Sequence, residues 1–273
     1  MKGLLSFKHG VHPPENKEIT AGMPSQRFPF PNEIVLPLSQ HIGTPAETLV
    51  APGDHVERGD VIAKAAGFIS SAVHATAAGT VKSIELWPHP SGTMVPSIRI
   101  NVDPNSSQMQ RPRMVPRWQD VKETELSKEI ARAGIVGLGG AAFPSHVKLC
   151  PPKDQPVELL LVNASECEPY LTSDHRVMLE QPEMIYEGIR IELKALGISR
   201  AVIGIESNKP DAIEIMRETA PDDLDVTVME LQVKYPQGAE KMLIKAVTGR
   251  EVPSGKLPSS VGALVQNVAT TAS

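Results

Sequence analysis

The chain has 273 residues, 41% of them hydrophobic and 22% charged, with 27 Lys+Arg against 32 Asp+Glu for a net charge of −5. That length is generous for one core and predicts two domains. The charge balance, with no basic block, excludes nucleic acid or an anionic membrane surface as the main partner.

The elements follow in chain order. Residues 1–32 are rich in proline, glycine and polar side chains and read as an arm laid over a surface. Its apolar pieces, Leu4-Leu5 and Phe7, are too small for a signal peptide, and no apolar run in the chain reaches membrane-spanning length. No direct membrane span is expected, so any membrane role has to come through partner subunits. Across residues 33–102, short β-branched runs at 33–36, 48–50, 60–63, 80–84 and 97–100 alternate with turn signals such as Pro52-Gly53-Asp54 and Arg58-Gly59-Asp60, which predicts a small all-β sandwich or barrel. Within it, residues 51–62 and 75–81 resemble the lipoyl/biotinyl domain. In that family the prosthetic group hangs from a hairpin-tip lysine. Here Gly67-Phe68 falls at the tip and Lys64 before it, so the domain reads as a barrel-sandwich relative without a swinging arm.

Residues 103–118, with Asp103-Pro104-Asn105 and the Arg111–Pro116 stretch, read as a linker. The remainder, 119–273, reads as an α/β domain. Asp120 stands three residues before Glu123 in a capping-box arrangement, and Leu126, Ile130 and Ala133 follow at helical spacing up to Gly134. Strands are predicted at 159–162, 201–205 and 226–229. Helices are predicted from Pro182 to a stop at Gly197, from Asn208-Pro210 onward, and from Ala239 to Val247 before Gly249. Strands alternating with helices in this way define a parallel sheet.

Two stretches carry candidate chemistry. The first is Gly137-Leu138-Gly139-Gly140-Ala141-Ala142-Phe143-Pro144, a nest of backbone amides feeding a helix start, with Lys148 nearby: a receptor for a phosphate. It is not an ordinary dinucleotide fingerprint, because a helix and not a strand precedes it and the third glycine position is Ala142. The second is Asn163-Ala164-Ser165-Glu166-Cys167-Glu168-Pro169-Tyr170, placed at the carboxyl end of the first strand, where such folds bind ligands. A solvated polar turn is one reading of its two carboxylates. Beside a strand end and a glycine nest, ribose hydroxyls or a nicotinamide amide are the other, and a carboxylate on a ribose repels a 2′-phosphate and favours NAD over NADP. Cys150 and Cys167 form no C-x-x-C pair and the eight histidines have no ligand spacing, so no metal site is expected.

The glycine loop followed by the acidic turn resembles the C subunit of the Rnf ion-translocating electron-transport complex and, more distantly, the flavin-carrying NADH-oxidising subunit of respiratory complex I. Residues 7–17, Tyr235–Lys241 and Gln266–Thr270 match the Rnf subunit as well, so the resemblance runs over essentially the whole chain. It implies an α/β flavin/NADH-binding domain with a parallel sheet, preceded by the lipoyl-like barrel, in a subunit on the cytoplasmic face of the inner membrane whose partners are the other subunits and NADH. It also implies FMN held by the glycine loop, with NAD(H) over it. Gly137, Gly139, Gly140 and Ala141 then line the flavin and its phosphate, and Phe143 and Lys148 flank the nicotinamide nucleotide. Asn163, Glu166 and Glu168 contact the flavin or the nicotinamide ribose. Gly238 and Glu240 correspond to a glycine–glutamate stretch, and Asn267 and Thr270 to residues near the ribityl chain and phosphate. Hydride passes between cofactors, so no catalytic side chain is expected.

Two departures stand out. Ala142 replaces a glycine common in the family loop. The two C-x-x-C-x-x-C-x-x-x-C-P motifs that carry two 4Fe-4S clusters in the family are absent, which leads to the expectation that these residues are a fragment. The related flavin/iron–sulfur cobalamin reductase, which shares this core, and a non-catalytic docking protein of the complex are the alternative readings.

Overall fold

The computed structural model describes residues 4–110 and 117–273. Met1–Gly3 of the expected arm and Arg111–Pro116 of the expected linker lie outside them. The chain forms two compact units, one of residues 26–148 and one of residues 1–25 with 149–273.

The first unit is mainly β. Strands β1 (Glu33–Pro37), β3 (His55–Val56), β6 (Gly79–Pro88) and β7 (Met94–Val102) form an antiparallel sheet in the order β1-β7-β6-β3; β2 (Glu47–Thr48), β4 (Val61–Lys64) and β5 (Val73–His74) form a second in the order β2-β4-β5. Alternation puts Ile98 and Ile100 on one face of the first sheet, and with Val81 they share a closed apolar core with Ile62, Ala63 and Val73 from the second. Two similar turns set the corners: Asp54 accepts from the Ala51 N–H and Asp60 from the Glu57 N–H, each at 2.8 Å. The expected strand at 48–50 is confined to β2. β3 and β5, two residues each, are too short to leave a periodic signature. Lys64 ends β4 in an exposed ion pair with Glu47, and Gly67-Phe68 sits in the loop beyond it.

Helix α1 (Glu123–Ala133) belongs to this unit, buries Leu126 and Ile130, and stops at Gly134. The expected capping box does not form: Asp120 closes a short 3-10 turn, and Lys122 stands at the N-cap without a side-chain bond. A one-turn helix, α2 (Ser145–Lys148), ends the unit.

The second unit is α/β. Strands β8 (Leu159–Ala164), β9 (Arg200–Glu206), β10 (Asp225–Leu231) and β11 (Ala263–Asn267) run parallel in the order β10-β9-β8-β11. The sheet is covered by α3 (Ser173–Glu180), α4 (Pro182–Leu196), α5 (Pro210–Glu218), α6 (Glu240–Thr248) and α7 (Val268–Thr271). The apolar strands Leu160-Leu161-Val162 and Ala201–Ile205 are fully buried, as a sheet covered on both faces requires. The predicted strands and the helices at 182–196, 210–218 and 240–248 are present; α3, β11 and α7 are additions. The arm is woven into this unit, with Leu5 bridging Leu231 beside edge strand β10 and Val11 pairing with Tyr235. No helix among the described residues is long and apolar enough to cross a membrane.

Candidate functional site

Two strands, β9 and β10, lie to one side of β8, and β11 lies to the other. The strand order therefore reverses between β8 and β11, and a crevice for ligands opens at the carboxyl ends of such a pair. Asn163 and Asn267 are register partners there. The Asn163 amide donates to the Gly238 carbonyl at 2.8 Å and accepts from the Ser165 N–H at 3.2 Å. The Asn267 amide donates to Asp174 at 2.7 Å, while its oxygen accepts from the N–H and hydroxyl of Thr270 and so caps α7. The structure thus brings Asn163, Gly238, Asn267 and Thr270 together, and Glu240 opens α6 two residues beyond Gly238.

The two acidic-turn carboxylates diverge. Glu166 is buried, with a φ of 30°, and accepts from the Asp174 N–H at 2.7 Å, the Ser173 hydroxyl at 3.3 Å and the His175 N–H at 3.4 Å. Its side chain serves the otherwise unpaired amides at the start of α3. Glu168 is exposed, and its carboxylate makes no hydrogen bond or ion pair among the described residues. Burial, and next the Glu166 charge, pushes Asp174 up to about 6.

Several neighbouring residues had no role assigned from sequence. Both side-chain polar atoms of Gln237 and the Ser165 hydroxyl are buried without a partner among the described residues, beside Gly238 and Asn163. The Cys167 sulfur accepts from the Gly238 N–H at 3.3 Å, and burial pushes its thiol up. Glu206, at the end of β9, is fully buried with Lys209 3.4 Å away; burial pushes it up to about 7 against the pull of that lysine. A cavity of about 30 Å³, lined by His12, Glu15, Lys17, Cys167, Glu206 and Lys234 among others, has room for one water. The recoverable clue was position: Glu206 ends a buried parallel strand, and Asn208 and Lys209 follow it directly.

The glycine-loop residues Gly137, Gly139, Gly140, Ala141, Phe143 and Lys148 fall in the other compact unit. There the loop is closed at its base, with Val136 bridging Pro144 and the Gly137 N–H donating to Phe143 O at 2.9 Å. Its tip, residues 138–141, is exposed, and the amides of Gly139, Gly140 and Ala141 donate to no backbone carbonyl among the described residues. Gly140 has a φ of +128°, and a Cβ there would point into open space. Ala142 accepts a φ of 47° in place of the family's glycine. Behind the loop, His146 Nε2 lies 3.0 Å from the Phe68 carbonyl at the tip of the β4–β5 loop, which ties α2 to the barrel. Its Nδ1 has no partner among the described residues, which fits the tautomer with the proton on Nε2, and burial lowers the His146 pKa.

A parallel sheet with polar groups converging on its switch point is the arrangement in which open α/β proteins hold their ligands. Residues 130–273 match the Nuo51 FMN-binding domain, and residues 5–105 match the RnfC barrel sandwich hybrid domain. The chain belongs to the family of the Nuo51 FMN-binding domain, with the RnfC barrel sandwich hybrid domain ahead of it. The C subunit of the proton-translocating ferredoxin:NAD(+) oxidoreductase complex of Clostridium ljungdahlii is 45% identical over 98% of this chain and 58% of that protein. The C subunit of the Na(+)-translocating ferredoxin:NAD(+) oxidoreductase complex of Acetobacterium woodii is 43% identical over 98% of this chain and 60% of that protein. The chain thus spans 58% and 60% of the length of these two relatives. Among solved structures, a chain of an NAD+-reducing NiFe-hydrogenase is 24% identical, with a TM-score of 0.48 over 58% of this chain and 31% of that one.

Proposed function

We propose that this chain binds FMN and accepts hydride from NADH, as the NADH-facing part of a subunit held at the cytoplasmic face of a membrane by the other subunits of an ion-translocating complex. The observation that carries this reading is the orphaned Gln237 amide and Ser165 hydroxyl beside the Asn163–Asn267 pair. Buried polar groups without partners are costly and mark a place where a ligand completes the hydrogen bonding. Together with the two asparagines they form an uncharged donor–acceptor set, which suits the imide edge and ribityl hydroxyls of a flavin, so the residues present fit the group.

In this reading Asn163, Ser165, Gln237, Gly238, Asn267 and Thr270 hold the flavin from the α/β unit. Within the other unit, the exposed amides of Gly139, Gly140 and Ala141 suit a phosphate. Glu168, exposed to solvent, accepts ribose hydroxyls and disfavours a 2′-phosphate. FMN supplies a two-electron acceptor for hydride. The protein's part is to orient the two rings and exclude water, which needs no nucleophile or general acid. The two cysteines offer no cluster ligand set, so the hydride-accepting step is the part of the electron path that these residues support.

Titration of FMN fluorescence tests the binding. The wild-type chain is expected to quench FMN saturably, and Asn163→Ala to weaken binding by roughly tenfold or more, from the loss of one or two buried hydrogen bonds. No quenching by the wild type, or an Asn163→Ala chain that binds equally well, contradicts the reading.

A further inference from the structure

The motif Phe7–Lys17 lies far in sequence from every residue assigned above, and its contacts explain why it is there. Lys17 is 9% exposed. Its ammonium donates to the carbonyls of Glu166 and Glu168, each at 2.9 Å, and to that of Leu171, so its three protons meet three carbonyls of the acidic turn. The turn needs such a hold, because Glu166 and Tyr170 both sit at positive φ, 30° and 67°, where side-chain-bearing residues are strained. Glu15 adds two ties: its carbonyl accepts from the Tyr170 N–H at 2.8 Å and its carboxylate from Asn208 at 2.9 Å.

The other end of the motif grips the second wall of the site. Val11 and Tyr235 exchange two backbone hydrogen bonds of 2.8 Å, three residues before Gly238. Lys234 donates to the carbonyls of Phe7 and His9 and lies 3.9 Å from the Phe7 ring centroid. Gly10, at φ +97°, allows the approach, since a Cβ there would stand 2.9 Å from Tyr235 O. The exchange is reciprocal: the arm lends a lysine to the acidic turn, and the body lends one to the arm.

We infer that Lys17 is a positioning residue of the nucleotide site, an internal ammonium that fixes the 165–171 turn from behind. It thereby sets where Ser165 and Glu168 are presented, and it offsets the negative charge that Glu166 and Glu168 would otherwise turn on a phosphorylated ligand. The assignment rests on the flavin reading above for its ligand, and on the arm's own contacts for its geometry. Burial, and next the nearby Lys209, lower the Lys17 pKa against the opposing pull of Glu166, Glu206 and Glu15.

The test uses the full chain with two readouts. Hydrogen exchange in flavin-free protein reports the turn directly: Lys17→Ala is expected to speed exchange across residues 166–171 by about tenfold or more, the loss of hydrogen bonds to a charged donor. FMN affinity is expected to fall by a similar factor, and added ethylammonium, but not ethanol at the same concentration, to restore it. Unchanged exchange and affinity, or equal rescue by the neutral compound, overturns the inference. If Lys17→Ala does not fold, Lys17→Arg decides: a planar guanidinium keeps the charge but cannot satisfy three carbonyls converging on one point. Faster exchange in the turn supports the inference, and unchanged exchange overturns it. A wild-type chain that binds no FMN defeats the flavin reading alone, because the exchange arm needs no ligand.

Discussion

At Glu166 the carboxylate takes up the Ser173 hydroxyl and two N–H groups at the start of α3, whereas Glu168, two positions on, projects into solvent. The resemblance gave both the same ligand-binding role, and the local hydrogen bonds separate them. Glu166→Ala is expected to lower stability by about 1–2 kcal/mol, as loss of a helix cap does. Glu168→Gln should leave the unfolding midpoint in place and raise the NADH dissociation constant; denaturant melts and NADH titration check both. Asp174 adds a pH dependence. Its folded pKa of about 6 lies above the ordinary value of 3.8, so the folded chain binds the extra proton, and stability from this group is full below the lower value and lost as pH rises through the upper one. Asp174→Asn should therefore gain on the wild type as pH rises through that window, by at most roughly 2–3 kcal/mol at neutral pH; a difference that stays flat with pH refutes this. Asn163, Gly238, Asn267 and Thr270 were legible because short motifs carried them. Gln237, Ser165 and Lys17 stand in the same motifs but drew no role, because burial of a polar group depends on contacts far away in sequence.

Among the elements, the long and strongly patterned ones were readable. In α4, Ile185, Ile189 and Leu193 occupy one face, Pro182 opens the helix and Gly197 closes it, all as local sequence demands. By contrast α3 has a mixed polar face, and although Thr172 stands at its N-cap, that side chain makes no capping bond and Glu166 takes up the first amides instead. The Asp120–Glu123 pair looked like a capping box, yet the chain leaves Asp120 in a 3-10 turn, because spacing alone does not fix backbone angles. β11 is five residues of buried apolar and amide side chains, short enough to pass for either element. One close contact fixes how α4 meets the chain's last turn: a Cβ on Gly188 would lie 1.7 Å from Thr271 O. Gly188→Ala is thus expected to cost about 3 kcal/mol or more by overpacking, and to loosen α7 with its Thr270; thermal unfolding with and without FMN measures it.

On the scale of the molecule, length and pattern were enough for a small all-β barrel followed by an α/β sheet, and the family matches agree with both parts. The destination of the arm was not legible. Its residues show no strand periodicity, because its pairing is made through two isolated bridges and through lysines that reach backbone carbonyls. Packing sorts the chain differently from sequence order: residues 1–25 fold with 149–273, while α1 and the glycine loop fold with the barrel. The central claim is that the chain binds a flavin and presents it to NADH. Its most direct test is anaerobic titration of the FMN-loaded chain with NADH while flavin absorbance is followed. Stoichiometric bleaching of bound FMN by NADH is predicted, with a much weaker response to NADPH. Bound FMN that stays oxidised with excess NADH would contradict it.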